Sequence, residues 1–119
     1  MPKPAPSTST GAKDWPVPEK DKNTANPIRA DKESLSNGKS LYLKHCASCH
    51  GKRGLGDGTK AASLKTACGD FTEASFQAQT DGALFYKITK GRDDMPSFKK
   101  KLPDTEEIWS IVNYIRTLK

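Results

Sequence analysis

Apolar residues are scarce in this chain of 119 residues: they make up 34% of it, and its mean hydropathy is -0.76. No stretch has the apolar length that a bilayer span requires. No segment alternates apolar and polar residues as a half-buried strand does, so we predict an all-α fold. A core this thin usually depends on disulfides, a metal or a cofactor, and we therefore expect a non-polypeptide group at its centre.

Cysteine and histidine are also rare, with three and two residues, and the odd cysteine count argues against a disulfide scaffold. Cys46 and Cys49 form a close pair that His50 follows directly. A zinc module usually has a second close pair, whereas this chain can add only His45 and Cys68. A thioredoxin-like redox pair belongs in a βαβ unit, and a phosphate-binding glycine loop follows a strand. The sequence predicts neither arrangement.

Two cysteines three positions apart, with a histidine behind the second, are typical of covalent haem attachment. The thiols of Cys46 and Cys49 would share one side of a helical turn and reach the vinyl groups at one edge of the porphyrin. His50 would then supply the proximal axial ligand of the iron. We predict one covalent haem c, whose apolar surface the short helices cover. His45 is pinned to the same side of the ring as His50 and is predicted to be a surface residue.

Methionine is rare as well, and apart from Met1 the chain has only Met95. Met95 lies in a polar turn that Pro96 stiffens, whereas a core methionine would lie on an apolar helical face. We predict that Met95 is the second axial ligand of the iron. With both axial positions filled, no open site is left for oxygen or peroxide. The prediction is therefore electron transfer, and the chain is not expected to be an enzyme.

Prolines are concentrated at one end, since six of the eight lie in residues 1–30 together with Ser, Thr and Lys. Proline fixes φ and removes a backbone donor, so neither helix nor sheet propagates well there. We predict a flexible tail or linker over residues 1–30 and a haem domain over residues 31–119. Trp15 and Ile28 are candidates for docking onto the domain, and a tether to a membrane or a neighbouring domain is the alternative.

Helical periodicity begins at Ser34, and either Ser34 or Ser36 is predicted to be the N-cap. Gly38 lies inside this helix, where glycine is unfavourable, and this indicates that another backbone approaches closely. Residues 52–70 are predicted to be a loop. Thr72 is the predicted N-cap of a short helix at about 72–78.

Two further helices complete the pattern. Asp81 is the predicted cap of the first, which Gly91 ends. Asp104 and Glu107 have the spacing of a capping box at the start of the second. The predicted buried face of this last helix consists of five apolar residues: Ile108, Ile111, Val112, Ile115 and Leu118.

Three segments together resemble the class I monohaem cytochromes c of bacteria: "CASCHGKRGLGDG", "MPSF" and "EEIWSIVNYIRTL". The similarity covers residues 34–119. It implies four or five short helices around one haem, with the first and last helices crossing. The residues that fit this crossing are Gly38, Tyr42, Ile111 and Tyr114. The resemblance also implies that a backbone carbonyl accepts the proton of His50, and residues 65–67 are the candidates although the family's usual prolines are missing.

The expected function is that of a single-electron carrier in the periplasm or another extracytoplasmic space. A signal peptide is expected to be absent from this sequence, because no apolar segment follows Met1. The two alternatives are the haem domain of a larger respiratory or oxidoreductase enzyme, and a ligand-binding or peroxidase-like haem protein. For Cys68 we retain a buried apolar role, an exposed thiol that pairs between molecules, and a functional role.

The net charge of +6 is uneven: residues 1–33 have six basic and five acidic side chains, and residues 34–119 have fourteen and nine. A basic domain of this kind favours an acidic redox partner, such as a reductase or terminal oxidase. We predict a monomer that docks through a ring of basic residues, and no binding of nucleic acid. The predicted ring consists of Lys52, Arg53, Lys60, Lys99 and Lys100.

Overall fold

The computed structural model describes residues 15–63, 69–91 and 95–119. These residues contain helices and no β-strand, which confirms the all-α class. None of the described helices is long and apolar enough to cross a membrane. The α-helices of the described residues are α1 (Glu19–Lys22), α2 (Lys32–His45), α3 (Ala47–His50), α4 (Ala74–Gln77), α5 (Asp81–Lys90) and α6 (Thr105–Ile115), and a 3₁₀ turn lies at Ala61–Ser63.

Helices α2 and α6 cross at Gly38. A side-chain carbon at this glycine would overlap the carbonyl oxygen of Ser110 and lie 2.7 Å from its carbonyl carbon. One turn along, the rings of Tyr42 and Tyr114 meet at a centroid distance of 5.3 Å and an angle of 55°. The glycine that helix propensity disfavours is therefore explained, because it lets the two backbones touch.

The N-cap of α2 is Asp31, so the prediction of Ser34 or Ser36 is wrong. Asp31 has extended backbone geometry, and its carboxylate accepts the Ser34 N–H at 2.9 Å. Ser34 lies inside the first turn, where it is buried, and its hydroxyl donates to the Arg29 carbonyl at 2.6 Å. The Asp31 carboxylate accepts from the N–H of the third residue of the helix, which is the usual N-cap hydrogen bond. Because Asp31 supplies the cap, the Ser34 side chain can be buried.

Helix α4 is shorter than predicted, and Thr72 does not cap it. Asp70 accepts hydrogen bonds from both the backbone N–H of Thr72, at 2.8 Å, and its hydroxyl, at 2.5 Å. Because this turn occupies the threonine, the helix begins only after Glu73.

The cap of α5 is Thr80, one residue before the predicted Asp81. The Thr80 hydroxyl accepts the Ala83 N–H at 3.1 Å, while Asp81 lies in the first turn and pairs with Arg116 at 2.7 Å. The end at Gly91 is as predicted, since this glycine has a positive φ of 68°.

Helix α6 supplies much of the core. Asp104 caps it as predicted, but its carboxylate accepts the Glu106 N–H at 3.0 Å and not the Glu107 N–H that the predicted capping box requires. Four of the five residues of the predicted apolar face are buried (Ile108, Ile111, Val112 and Ile115), and Leu118 packs at the edge of the core. Trp109 is buried as well, and it stacks on Phe85 of α5 at 4.0 Å.

Residues 15–30, within the predicted tail, contact the domain. The carbonyl oxygens of α1 lie so close to Gly82 that a side chain there would overlap them. Asn26 donates to the Asn113 side chain at 2.9 Å, and Ile28 packs against the core. The lysine of α5 at position 87 lies 5.5 Å from the centre of the Trp15 ring. Docking of Trp15 and Ile28 is therefore observed, while the division at residue 30 stays a prediction.

Candidate functional site

The cysteine pair and the histidine lie on one helical turn. Cys46 ends α2, donating its N–H to the Tyr42 carbonyl at 2.8 Å, and it also begins α3. The N–H of His50 donates in turn to the Cys46 carbonyl at 2.9 Å. The sulfur atoms of Cys46 and Cys49 do not form a disulfide. One short turn therefore presents two thiols and an imidazole, as the spacing predicts.

The two thiols have different surroundings. Cys46 is buried, whereas Cys49 is partly exposed. Burial, with a smaller contribution from the charge of Cys49, raises the pKa of Cys46 to about 12. A redox pair needs a nucleophilic thiolate with a lowered pKa, and Cys46 has the opposite property. Among the described residues, His, Cys, Asp and Glu side chains also form no group of three that could hold a metal ion.

His50 is half-buried as a whole, but its Nδ1 atom is fully enclosed and has no hydrogen-bond partner among the described residues. Burial lowers the pKa of His50 to about 4, so the imidazole is neutral near pH 7. The neutral ring is the form that ligates a metal. The predicted acceptor for its proton, a carbonyl of residues 65–67, lies outside the described residues.

A glycine-rich loop runs from the end of α3 beside this turn. The Gly51 carbonyl accepts the buried hydroxyl of Tyr42 at 2.7 Å, which ties the loop to α2. Gly56 has a φ of 80° and packs against the carbonyl of Gly69, so that a side chain would have no space. Glycine permits this path both because it tolerates a positive φ and because it has no side chain.

Met95 follows α5 in a loop that is folded back on that helix. It is partly buried and packs against the core. Beyond it, the Ser97 hydroxyl donates to the Thr89 carbonyl at 2.6 Å, and the Phe98 N–H donates to the Ile88 carbonyl at 3.2 Å. These bonds fix the chain just after Met95 to α5, and the role of Met95 as the second axial ligand stays a prediction.

His45 is the last residue of α2, and its ring meets Phe98 in a T-shaped arrangement at a centroid distance of 5.7 Å. Partial burial lowers its pKa, and the positive charges of Lys44 and Lys101 lower it further, while Glu107 raises it. His45 is partly exposed and partly covered by Phe98, and its lack of a role as a ligand stays a prediction.

The aromatic side of the site was missed by sequence reasoning. Phe71 is buried and stacks on the His50 ring at a centroid distance of 4.6 Å and an angle of 29°. Phe71 comes two residues after Gly69. The only indication of its role in the sequence is that it is an isolated aromatic residue between a predicted loop and a predicted short helix. Cys68 lies outside the described residues, so its alternatives stay open.

The residues present fit a covalent haem. The turn offers two unpaired thiols for thioether bonds and a neutral imidazole for the iron, and the enclosed Nδ1 of His50 suits an imidazole held in one orientation. Met95 adds a thioether, which is a soft and neutral donor.

Comparison with known proteins decides the family. The family model described as "Cytochrome C oxidase, cbb3-type, subunit III" matches residues 33–115. The chain belongs to the class I monohaem cytochromes c. Cytochrome c6 of Parathermosynechococcus lividus is 30% identical over 81 residues, which are 68% of this chain and 86% of the relative. Cytochrome c6 of Porphyra purpurea is 33% identical over 81 residues, which are 68% of each protein.

Solved structures agree with this assignment. The KustC0563 c-type cytochrome superposes with a TM-score of 0.61 at 33% identity, over 69% of this cytochrome and 96% of that chain. A chain of the reducing HAO-like protein complex of Kuenenia stuttgartiensis gives a TM-score of 0.70 at 29% identity. That match covers 77% of this cytochrome and only 46% of the larger chain. This cytochrome therefore carries one covalently bound haem c, and its chemistry is electron transfer.

Proposed function

We propose that this cytochrome is a single-electron carrier in which Cys46 and Cys49 form the haem thioethers while His50 and Met95 are the axial ligands. The observation that carries the proposal is the turn at Cys46–His50, which presents unpaired thiols and a half-buried, neutral imidazole together. When bound, haem c supplies the Fe(III)/Fe(II) couple. The chain fixes the imidazole on one turn and the thioether on a separate pinned loop.

The partner is proposed to be a redox protein with an acidic docking patch. All five residues of the predicted basic ring are exposed in the structure: Lys52, Arg53, Lys60, Lys99 and Lys100. The first three follow the haem-attachment turn along the chain, and the last two follow the Met95 loop. A basic surface of this kind accelerates encounter with an acidic partner, and redox complexes use small and transient interfaces.

The proposed location is the periplasm or another extracytoplasmic compartment, where the cytochrome works as a monomer with residues 1–30 as a tail or tether. An alternative is that the domain serves as the electron entry point of a larger enzyme. The specific support for this alternative is the similarity to part of the longer HAO-like chain. Immunoblotting of the native organism with an antibody to this domain separates the two, because a band near 13.0 kDa favours the carrier.

The ligand assignment is tested by absorption spectroscopy of the haem-loaded protein and its Met95→Ala and His50→Ala variants. We expect the wild type to be six-coordinate and low-spin in both oxidation states, and not to bind carbon monoxide readily when reduced. Met95→Ala is expected to open a coordination position and to bind carbon monoxide. His45→Gln is the matched control and is expected to keep the wild-type spectrum.

Two outcomes would contradict the assignment. An unchanged spectrum of Met95→Ala would show that another residue is the second ligand. Ready carbon monoxide binding by the wild type would favour the ligand-binding or peroxidase-like alternative over the electron carrier.

The docking proposal is tested by stopped-flow oxidation with an acidic redox protein at increasing ionic strength. We expect the second-order rate constant to fall as salt rises, because screening weakens the attraction between the charged surfaces. The double variant Lys99→Glu/Lys100→Glu is expected to be slower and less salt-dependent than the wild type. Lys39→Glu, on the exposed side of α2, is the control with a single charge reversal outside the ring. Rate constants that do not depend on salt would overturn the docking surface.

A further inference from the structure

The imidazole of His50 belongs to a stack of three rings. It stacks on Phe71 at a centroid distance of 4.6 Å, and Phe71 stacks in turn on Phe76 at 4.4 Å. The interplanar angles of the two stacked pairs are 29° and 23°. Offset stacking of this kind restricts rotation of each ring, because tilting one ring drives its edge into the next.

Phe71 is buried, and hydrogen bonds fix both its backbone N–H and its carbonyl. It is 8% exposed, and its N–H donates to the Gly54 carbonyl at 2.6 Å. Its own carbonyl accepts from the Gln77 side chain at 2.8 Å. A side-chain carbon at Gly54 would lie only 2.9 Å from the Phe71 Cβ, so the glycine loop closes directly over this residue.

Gln77 is positioned by a second group of hydrogen bonds. Its amide donates to the Ile115 carbonyl at 3.1 Å, and its side-chain oxygen accepts from Arg116 at 3.2 Å. Arg116 also donates to the Gln77 carbonyl at 2.8 Å and pairs with Asp81 at 2.7 Å. The ends of α4 and α6 and the start of α5 are therefore joined to the backbone of Phe71.

We propose that Phe71 is a positioning residue for the axial imidazole, setting the plane of the His50 ring and excluding water from that ring, and thereby raising the reduction potential. The inference rests on the proposed role of His50 as an iron ligand. Water near a ferric centre stabilises the oxidised state, so hydration of the imidazole after the loss of Phe71 lowers the potential. The orientation of the imidazole plane has a separate readout in the shifts of the haem methyl groups.

The test uses the haem-loaded protein with Phe71→Leu and Phe71→Tyr, measured by redox titration and by the paramagnetic NMR shifts of the haem methyl groups. Leucine keeps the site apolar but has no flat face. We expect Phe71→Leu to lower the potential and to change the pattern of methyl shifts, which reports the plane of the axial imidazole. Phe71→Tyr retains the aromatic ring and is expected to keep the wild-type pattern of methyl shifts.

The indirect variant Gln77→Met removes the hydrogen bond to the Phe71 carbonyl and is expected to shift both readouts in the same direction by a smaller amount. Phe85→Leu is the control, because it removes a stack of a partly buried ring on the buried Trp109, away from the His50 stack. Wild-type potential and methyl shifts in Phe71→Leu would overturn the inference. Failure of the ligand assignment is recognised separately, by retention of the wild-type spectrum in His50→Ala.

Discussion

The crossing of α2 and α6 differs from the haem-binding turn, which follows directly on α2, in how completely protein groups pair the buried polar atoms. At the crossing, Gly38 meets the Ser110 backbone, and the buried amide of Asn113 donates to the Ile28 carbonyl at 3.1 Å. At the turn, the Cys46 thiol is buried with no sulfur partner, and the Nδ1 atom of His50 has no partner among the described residues.

The difference follows from what each region must hold. Buried polar groups in folded proteins are normally hydrogen-bonded, and the acceptor expected for the Nδ1 proton of His50 is a carbonyl of residues 65–67, while the two thiols are left for thioether bonds to haem. The crossing is a finished polypeptide interface, and we expect its variants to change the stability of the whole domain. The turn is the site of covalent haem attachment, so we expect substitutions in it to change haem binding and the reduction potential more than backbone packing.

The largest expected effect comes from breaking the crossing with Gly38→Val. The added carbons would overlap the Ser110 carbonyl, so α2 and α6 must move apart and expose part of the core. We expect a loss of about 3 kcal/mol or more in the free energy of unfolding, at the upper end of the usual cost of overpacking. Denaturant titration of the haem-loaded protein, followed by circular dichroism, measures this loss.

The control for this variant is Ser40→Val, which places the same side chain on an exposed position of the same helix. It is expected to cost less than about 1 kcal/mol, since only helix propensity changes. Equal losses in the two variants would show that the crossing does not depend on the close contact at Gly38.

A smaller loss of stability is expected beside the haem-binding turn, for Gly56→Ala in the glycine-rich loop. Alanine at a φ of 80° costs about 1–2 kcal/mol, and its Cβ would also press on the Gly69 carbonyl. We expect a loss of about 2 kcal/mol and incomplete haem attachment, measured by denaturant titration and by the ratio of haem to protein absorbance. Leu55→Ala, at an exposed neighbouring position, is the control, and full attachment in Gly56→Ala would contradict this role of the loop.

The two regions also differ in how much of each could be predicted from the sequence. The thiols and the imidazole were predictable because their spacing is a local property of one turn, and Gly38 because a glycine inside a helix needs a reason. The stack of Phe71 on His50 was not predictable, because the two residues are 21 positions apart. The sequence pattern does not give the path of the chain between them. Helix caps failed at α2, α4 and α5, because several neighbouring residues of the right type compete and only the backbone geometry selects one.

The third expected effect tests the link between the two regions through Tyr42→Phe. The tyrosine is fully buried at the crossing, while its hydroxyl donates to the Gly51 carbonyl of the glycine loop. Removing the hydroxyl leaves that acceptor without this donor, and we expect a loss of about 1–2 kcal/mol without displacement of the helices. Denaturant titration measures the loss, and hydrogen exchange is expected to rise mainly in residues 51–58. A rise confined to α6 would instead place the role of Tyr42 in the crossing alone.

The smallest expected effect concerns His45, which lies at the end of α2 between the two regions. Burial lowers its pKa, followed by the charges of Lys44 and Lys101, so the folded protein binds this proton less well than the unfolded chain does. A histidine with a lowered pKa contributes its full stability above its unfolded pKa of 6.5, and that contribution is lost as the pH falls below this value. We therefore expect His45→Gln to lose less stability than the wild type between pH 7 and about pH 5. The measurement is the difference between the unfolding midpoints of the two proteins across that range, because titration of the carboxylates that they share cancels in the difference.

Glu107→Gln is the opposing variant. The Glu107 carboxylate raises the pKa of His45, so its removal is expected to steepen the loss of stability on acidification. Parallel pH profiles for the wild type and His45→Gln would show that this histidine titrates as it does in the unfolded chain.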